Sequence, residues 1–140
     1  MSLETLPSDL YKMFADVGKA LSSPSRLQLL NLLCQREHSV QELADKTDQS
    51  HANTSAHLRR LNEADLVDVT KKGRSSCYRV ASRRVIRLWL RLRDLGIAEI
   101  PKAREAMEKF GRDSVLEPDL SGEQLLERVK EGDITVIDLR

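Results

Sequence analysis

Two cysteines, Cys34 and Cys77, are all that this 140-residue sequence holds. No stretch approaches the roughly 20 consecutive apolar residues of a membrane-spanning helix, and the N-terminus lacks the apolar segment of a secretory signal. Both absences point to a cytoplasmic protein, with no membrane partner, in which the two thiols are expected to be reduced. Net charge is nearly missing as well, at +1. The length suffices for one good core with a small appendage.

The small net charge hides a segregation. From Ser50 to Arg93 eleven basic residues face three acids, leaving +8, whereas Asp113 to Arg140 carries eight acids against three bases, leaving −5. A basic middle calls for a polyanionic partner, and the acidic tail for a separate role.

What the sequence does have is a patterned stretch from Ser39 to Leu61. Ser39 and Glu42 form a capping box at a helix start. Val40, Leu43, Ala44 and Thr47 recur at helical spacing, so one face of that helix is expected to be buried. Asp48-Gln49-Ser50 then reads as a turn, with Ser50 as the N-cap of a second helix. In this second helix Thr54, Leu58 and Leu61 share a face, which leaves His51, Asn53, Ala56, His57 and Arg60 on others. Short helix, tight turn and second helix with a polar outer face is the helix-turn-helix pattern. An ordinary helical hairpin in a core shows the same spacing, so the flanking segments matter.

Upstream, Leu10, Phe14, Val17 and Leu21 define one face of a helix from Ser8 to Ser22. Ser23-Pro24 starts another that is apolar nearly all round (Leu27, Leu29, Leu30, Leu32, Leu33), which predicts the central buried helix. Gln35 to His38 reads as a polar loop. Downstream the period changes from helical to alternating. Leu66, Val67 and Val69, then Lys71-Lys72-Gly73-Arg74, then Ser76, Tyr78 and Val80, predict a β-hairpin whose tip carries three cations. A hairpin directly after a helix-turn-helix is a wing, and such a tip suits phosphates or the minor groove. Ser82 is expected to cap a long helix whose apolar stripe (Val85, Ile86, Leu88, Trp89, Leu92, Leu95) is wider than one core needs. Gly96 and Pro101 should interrupt it. A further helical pattern runs through Ala103, Met107 and Phe110 and ends at Gly111.

On these residues the chain resembles the ArsR-type winged helix-turn-helix repressors. The resemblance spans residues 8–95 and rests on LSSPSRLQLLNLL, on VQELADKTDQSHANTSAHLRRLNEADLV, and on KKGRSSCYRV in the wing. Ser50, Ser55, His57, Leu58 and Leu61, followed by Leu66-Val67, carry its specific part. It implies a homodimer that binds double-stranded operator DNA and releases it on an effector signal. The expected fold is therefore mainly α with a small β-hairpin, a winged helix-turn-helix dimerising through its first and last long helices. Expected DNA contacts are Gln49, Ser50, His51, Asn53, His57 and Arg60, with Lys72 and Arg74 in the wing. Asn53 suits bidentate pairing with adenine, whereas Arg and Lys mostly hold phosphates. Phe14, Leu88, Trp89 and Leu92 are expected near the dimer seam. Many members of the family sense metals through cysteine pairs in the first helix of the motif, or through Asp/His/Glu clusters in the last helix. Here the first position reads His38-Ser39-Val40-Gln41-Glu42 and the last helix has no histidine, so neither a metal nor a cofactor is expected. His51 and His57 have nothing nearby to complete a metal site. Cys34 lies three residues past Asn31, where sulfur-sensing relatives often place a cysteine. Cys34 and Cys77 are expected to be structural, with redox sensing as the competing role.

The tail carries a second resemblance. DLSGEQLLERVKEGDITVIDLR, from Asp119 to Arg140, is similar to the opening helix and strand of a rhodanese domain, and a generic helix–strand cap is its alternative. The expected organisation is a DNA-binding and dimerisation domain at 1–113, a linker at 114–120 and a truncated rhodanese-like beginning at 121–140. No catalytic residue is expected in this chain. The competing functional class is the dimerisation or partner-binding part of a sulfurtransferase, without a DNA role.

Overall fold

The computed structural model describes residues 4–113; the expected linker and the helix–strand segment of the tail lie outside the described residues. The elements run α1 (Ser8–Leu21), α2 (Pro24–Leu33), β1 (His38–Ser39), α3 (Val40–Thr47), α4 (His51–Glu63), β2 (Val67–Lys72), β3 (Ser75–Val80), α5 (Arg83–Glu99) and α6 (Pro101–Asp113).

α2 is the centre of the core. Ser23 accepts the amide of Arg26 with its side chain and Pro24 occupies the first turn, as the Ser-Pro pair predicts. Leu29, Leu30 and Leu33 are fully buried, with Leu43 of α3, Leu58 and Leu61 of α4 and Ile86 of α5. Each such leucine contributes about 1.5–3 kcal/mol of burial relative to exposure. α4 turns Thr54, Leu58 and Leu61 inward, the three residues its periodicity selects.

Both helices of the central pair end in the same way. The amide of Gln49 donates to the carbonyl of Ala44, and that of Leu66 to the carbonyl of Leu61. Asp48 and Asp65 supply the left-handed residue, at φ 53° and 61°. These are Schellman closures built on aspartate, one of the few side chains other than glycine to visit that region readily. Each tightens the chain reversal that sets the next element's direction.

Four local expectations need correction. The 35–38 segment is not all loop: His38 and Ser39 pair with Tyr78 and Cys77, so the wing is a three-stranded antiparallel sheet, order β1-β3-β2. Two residues are too short to show an alternating pattern, and a buried histidine reads as polar. Ser82 stands at the start of α5 but makes no side-chain capping bond. Its carbonyl takes the amide of Val85 and its side chain is buried. Gly96 does not interrupt α5, which continues to Glu99; only Pro101 does, as the first residue of α6. α6 also runs past Gly111 to Asp113. A single glycine costs a helix only about 1 kcal/mol, whereas proline removes a donor and fixes the chain.

α5 divides into three stripes at 100° per residue. Val85, Ile86 and Leu90 enter the core; Leu90 did not stand out in the sequence pattern. Leu88, Leu92 and Leu95 are exposed, and so are Arg83, Arg84, Arg87 and Arg91 on a third side.

Candidate nucleic-acid interface

The candidate interface draws on the start of α4 and the β2–β3 loop. α3 is fixed first. Ser39 accepts the amide of Glu42 at 3.1 Å, while a Glu42 carboxylate oxygen accepts the amide of Ser39 at 3.3 Å. Arg36 (2.9 Å) and buried His38 (3.3 Å) also reach that carboxylate. The Arg36 guanidinium, then the Ser39 amide, hold Glu42 well below the usual carboxylate range, at about 2. Burial, aided by Arg36, pushes His38 below its ordinary value despite Glu42. A neutral imidazole thus sits between the head of α3 and the wing strand.

α4 then starts on Ser50, whose side chain accepts the amide of Asn53 at 3.1 Å. His51 and Asn53 are exposed on this first turn, with no side-chain hydrogen-bond partner among the described residues. Gln49 is half-buried, and its amide donates to Ser25 Oγ at 2.9 Å, so the turn is braced against α2. The structure therefore gathers Gln49, Ser50, His51 and Asn53 at one end of α4.

The remaining expected contacts are placed differently. His57 is half-buried, with Nδ1 3.3 Å from Arg26 Nη1. Arg60 lies 3.6 Å from Glu63 and shares a cleft with Asp16, Lys19 and Ala20 of α1. In the wing, Gly73 at φ +67° begins a two-residue loop between the paired Lys72 and Ser75, the glycine position of a type II′ turn. Arg74 projects from that loop, exposed. Lys72 is also exposed, but its ammonium pairs with Glu37 at 3.0 Å.

Arg59 escaped the sequence reading as a contact. With Ala52, Ala56 and Glu63 it forms the face of α4 opposite Thr54, Leu58 and Leu61, and all four are exposed. Its charge acts on Tyr78 of β3, opposing the upward push of burial on that phenol. The signal was present: two alanines at i and i+4 leave the helix backbone approachable, and Arg59 extends their line.

The fold also divides the basic block. Arg83, Arg84, Arg87 and Arg91 sit on α5, which follows the end of β3 away from the loop; that end lies six residues, or about 20 Å of strand, from Arg74. The expected seam residues lie elsewhere again. Phe14, Leu88 and Leu92 are 55%, 41% and 37% exposed. Trp89 is half-buried and donates its indole N–H to Asn31 Oδ1 at 2.9 Å, bracing α5 on α2.

Cys34 is buried and Cys77 partly so, both as free thiols. Burial pushes the Cys34 thiol up to about 12, against a small opposing effect of Arg93. Among the described residues no three His, Cys, Asp or Glu side chains gather as a metal site, and no helix is long and apolar enough to cross a membrane.

A helix-turn-helix followed by a β-hairpin, with a short strand before the motif completing a three-stranded sheet, defines a winged helix-turn-helix protein. The model of bacterial regulatory proteins of the arsR family matches residues 23–69. The transcriptional repressor SmtB homolog of Synechocystis sp. is 32% identical over 91 residues, covering 65% of this chain and 69% of that protein. The HTH-type transcriptional regulator Rv0324 of Mycobacterium tuberculosis is 33% identical over 134 residues, 94% of this chain. The match is 57% of that regulator, so the chain spans less than two thirds of its length. Among solved structures, the homodimeric winged helix-turn-helix DNA-binding domain of Mb0332 from Mycobacterium bovis, a possible ArsR-family transcriptional regulator, is 31% identical. The superposition covers 73% of this chain and 95% of that one, with a TM-score of 0.65. The chain belongs to the ArsR family of bacterial regulatory proteins.

Proposed function

We propose that this chain is a homodimeric, sequence-specific DNA-binding repressor. The observation that carries the reading is the α4 surface. α4 exposes a Ser50–His51–Asn53 turn and an Ala52–Ala56–Arg59 face, the wing loop presents Arg74, and none of these side chains is needed by the core. Such a helix enters a major groove with its first turns on base edges, while the wing loop holds backbone phosphates. Asn53 is the candidate for base readout, and Arg59 and Arg74 for phosphates. The Synechocystis relative is a repressor by name, and the Mycobacterium bovis neighbour is a homodimeric DNA-binding domain.

Dimerisation is proposed through α1 and α5. Tyr11, Met13 and Phe14 on α1, with Leu88, Leu92 and Leu95 on α5, form apolar surface that a single copy leaves open. A two-fold pair would set its recognition helices about 34 Å apart, over successive turns of a pseudo-palindrome. The site works by binding rather than catalysis. On sequence pattern alone, residues 121–140 are proposed as the opening of a rhodanese-like domain, and the DNA reading does not depend on it.

A mobility shift with the DNA upstream of the chain's own gene, against scrambled DNA of equal length, tests the reading. A shift that survives scrambled competitor supports it. Equal affinity for both, or none, would return the chain to a partner-binding role.

A further inference from the structure

Arg26 is placed against the local rules. It is the third residue of α2, where the helix's own amides disfavour a cation. Its guanidinium is turned back toward the end of α1. Nε donates to the Ala20 carbonyl at 2.6 Å and Nη2 to the Lys19 carbonyl at 3.1 Å. These are carbonyls of the last turn of α1; that of Lys19 also accepts the amide of Ser22 at 3.2 Å and its hydroxyl at 2.7 Å. The remaining nitrogen, Nη1, lies 3.3 Å from His57 Nδ1. Arginine only donates, so Nδ1 must accept and the neutral ring carries its hydrogen on Nε2. One planar group thus grips the end of α1 with two bonds and the middle of α4 with a third. A second tie from the same turn, Gln49 to Ser25, fixes the start of α4.

We infer that Arg26 is a positioning residue for DNA reading: it sets the direction of α4 relative to α1 by holding His57, and His57 serves as its strut rather than as a groove contact. This inference rests on the DNA-binding reading above. If α1 is half of the dimer seam, the angle between α1 and α4 decides how far apart two recognition helices lie in the dimer. A half-buried fork that joins both helices keeps that angle single-valued, because each bond demands the same plane. Loss of the fork leaves each α4 able to rock. Phosphate attraction survives rocking, whereas simultaneous register on two half-sites does not.

The test is a double-mutant cycle on the ratio of operator to scrambled-DNA affinity, with thermal melting and sedimentation as companions. Arg26→Gln and His57→Leu should each lower the ratio about tenfold, and the double variant no further, as expected for two residues acting as one unit. His57→Asn keeps an acceptor near the Nδ1 position and should hold the ratio within about threefold. Arg26→Lys guards against simple unfolding. It retains a cation at the end of α1, but one ammonium cannot span the carbonyls and the imidazole. It should lose discrimination while melting and dimerisation stay near those of the parent chain. Additive losses, or His57→Asn as damaging as His57→Leu, would make His57 a direct contact and overturn the inference. So would a loss in Arg26→Lys that only follows its melting. If the parent chain shows no preference for its operator, the DNA reading itself fails. The link is then judged by the imidazole nitrogen resonances of His57. Nδ1 should have the signature of an unprotonated acceptor and shift in Arg26→Gln; an unchanged spectrum would overturn it.

Discussion

Lys72 Nζ lies 3.0 Å from Glu37 Oε1, so one of the three cations at the wing tip is held by a carboxylate of the segment between α2 and β1. The pair ties the end of β2 to the strand that completes the sheet, and it raises the Lys72 ammonium above its ordinary value. An ion pair this exposed contributes little to stability. Its consequence is for binding, because Lys72 must leave Glu37 to reach a phosphate. Glu37→Gln should therefore tighten binding to DNA of any sequence by a few fold at low salt. It should also steepen the salt dependence by up to about one released counterion. Titration of the variant across salt concentrations checks this; an unchanged slope would mean that Lys72 never meets the backbone.

Arg74 and Asn53 should separate in kind. Arg74→Ala is expected to weaken binding to operator and scrambled DNA alike and to flatten the salt slope by about one. Asn53→Ala should cost about 1–3 kcal/mol on the operator and little on scrambled DNA, because a bidentate base contact carries sequence information. Parallel losses in both variants would sink this division of roles.

The proposed seam can be divided from the core. Leu92→Glu puts a charge on the exposed stripe of α5 and should give a folded monomer in sedimentation. Trp89→Phe removes the bond to Asn31 and should lower stability by about 1–2 kcal/mol, seen as a lower melting temperature with the dimer intact. A dimeric Leu92→Glu chain would move the seam elsewhere.

Acid should loosen the head of α3 in two stages. His38 titrates lower in the folded chain than its ordinary 6.5, so the unfolded chain takes up its proton first and stability declines as pH falls below about 6.5. Glu42 is held down to about 2 from an ordinary 4.5, so its contribution is present above 4.5 and is lost between 4.5 and 2. Urea unfolding across this range should show both stages. Glu42→Gln should abolish the lower one, and a curve identical to the parent's would contradict the assignment.

The two thiols should differ in access. With Cys34 buried and pushed up to about 12, a thiol reagent at neutral pH should label Cys77 first in the folded protein and Cys34 only on unfolding. Early labelling of Cys34 would show that α2 opens locally. At Cys34 the thiol is kept from solvent and from ionisation.

The sequence by itself determined the elements whose cause is local. Ser23-Pro24, the Ser39–Glu42 box and Ser50 each name a helix start, because a cap acts within three residues. The 3.6-residue period selected Thr54, Leu58 and Leu61 as the buried face of α4, and alternation with a glycine marked the β2–β3 hairpin. Tertiary structure decided what depends on residues far apart in the chain. β1 exists only because β3 offers it an edge, and His38 becomes buried as a result. Gly96 stays helical because the packed start of α5 outweighs a small intrinsic preference. Six DNA contacts were expected between Gln49 and Arg60, and folding leaves Ser50, His51 and Asn53 exposed together on one turn. Gln49 was spent on Ser25, His57 was turned to Arg26, and Arg60 was set beside α1. Periodicity reports which side of a helix is polar; which polar groups are already bonded depends on the helices packed against it.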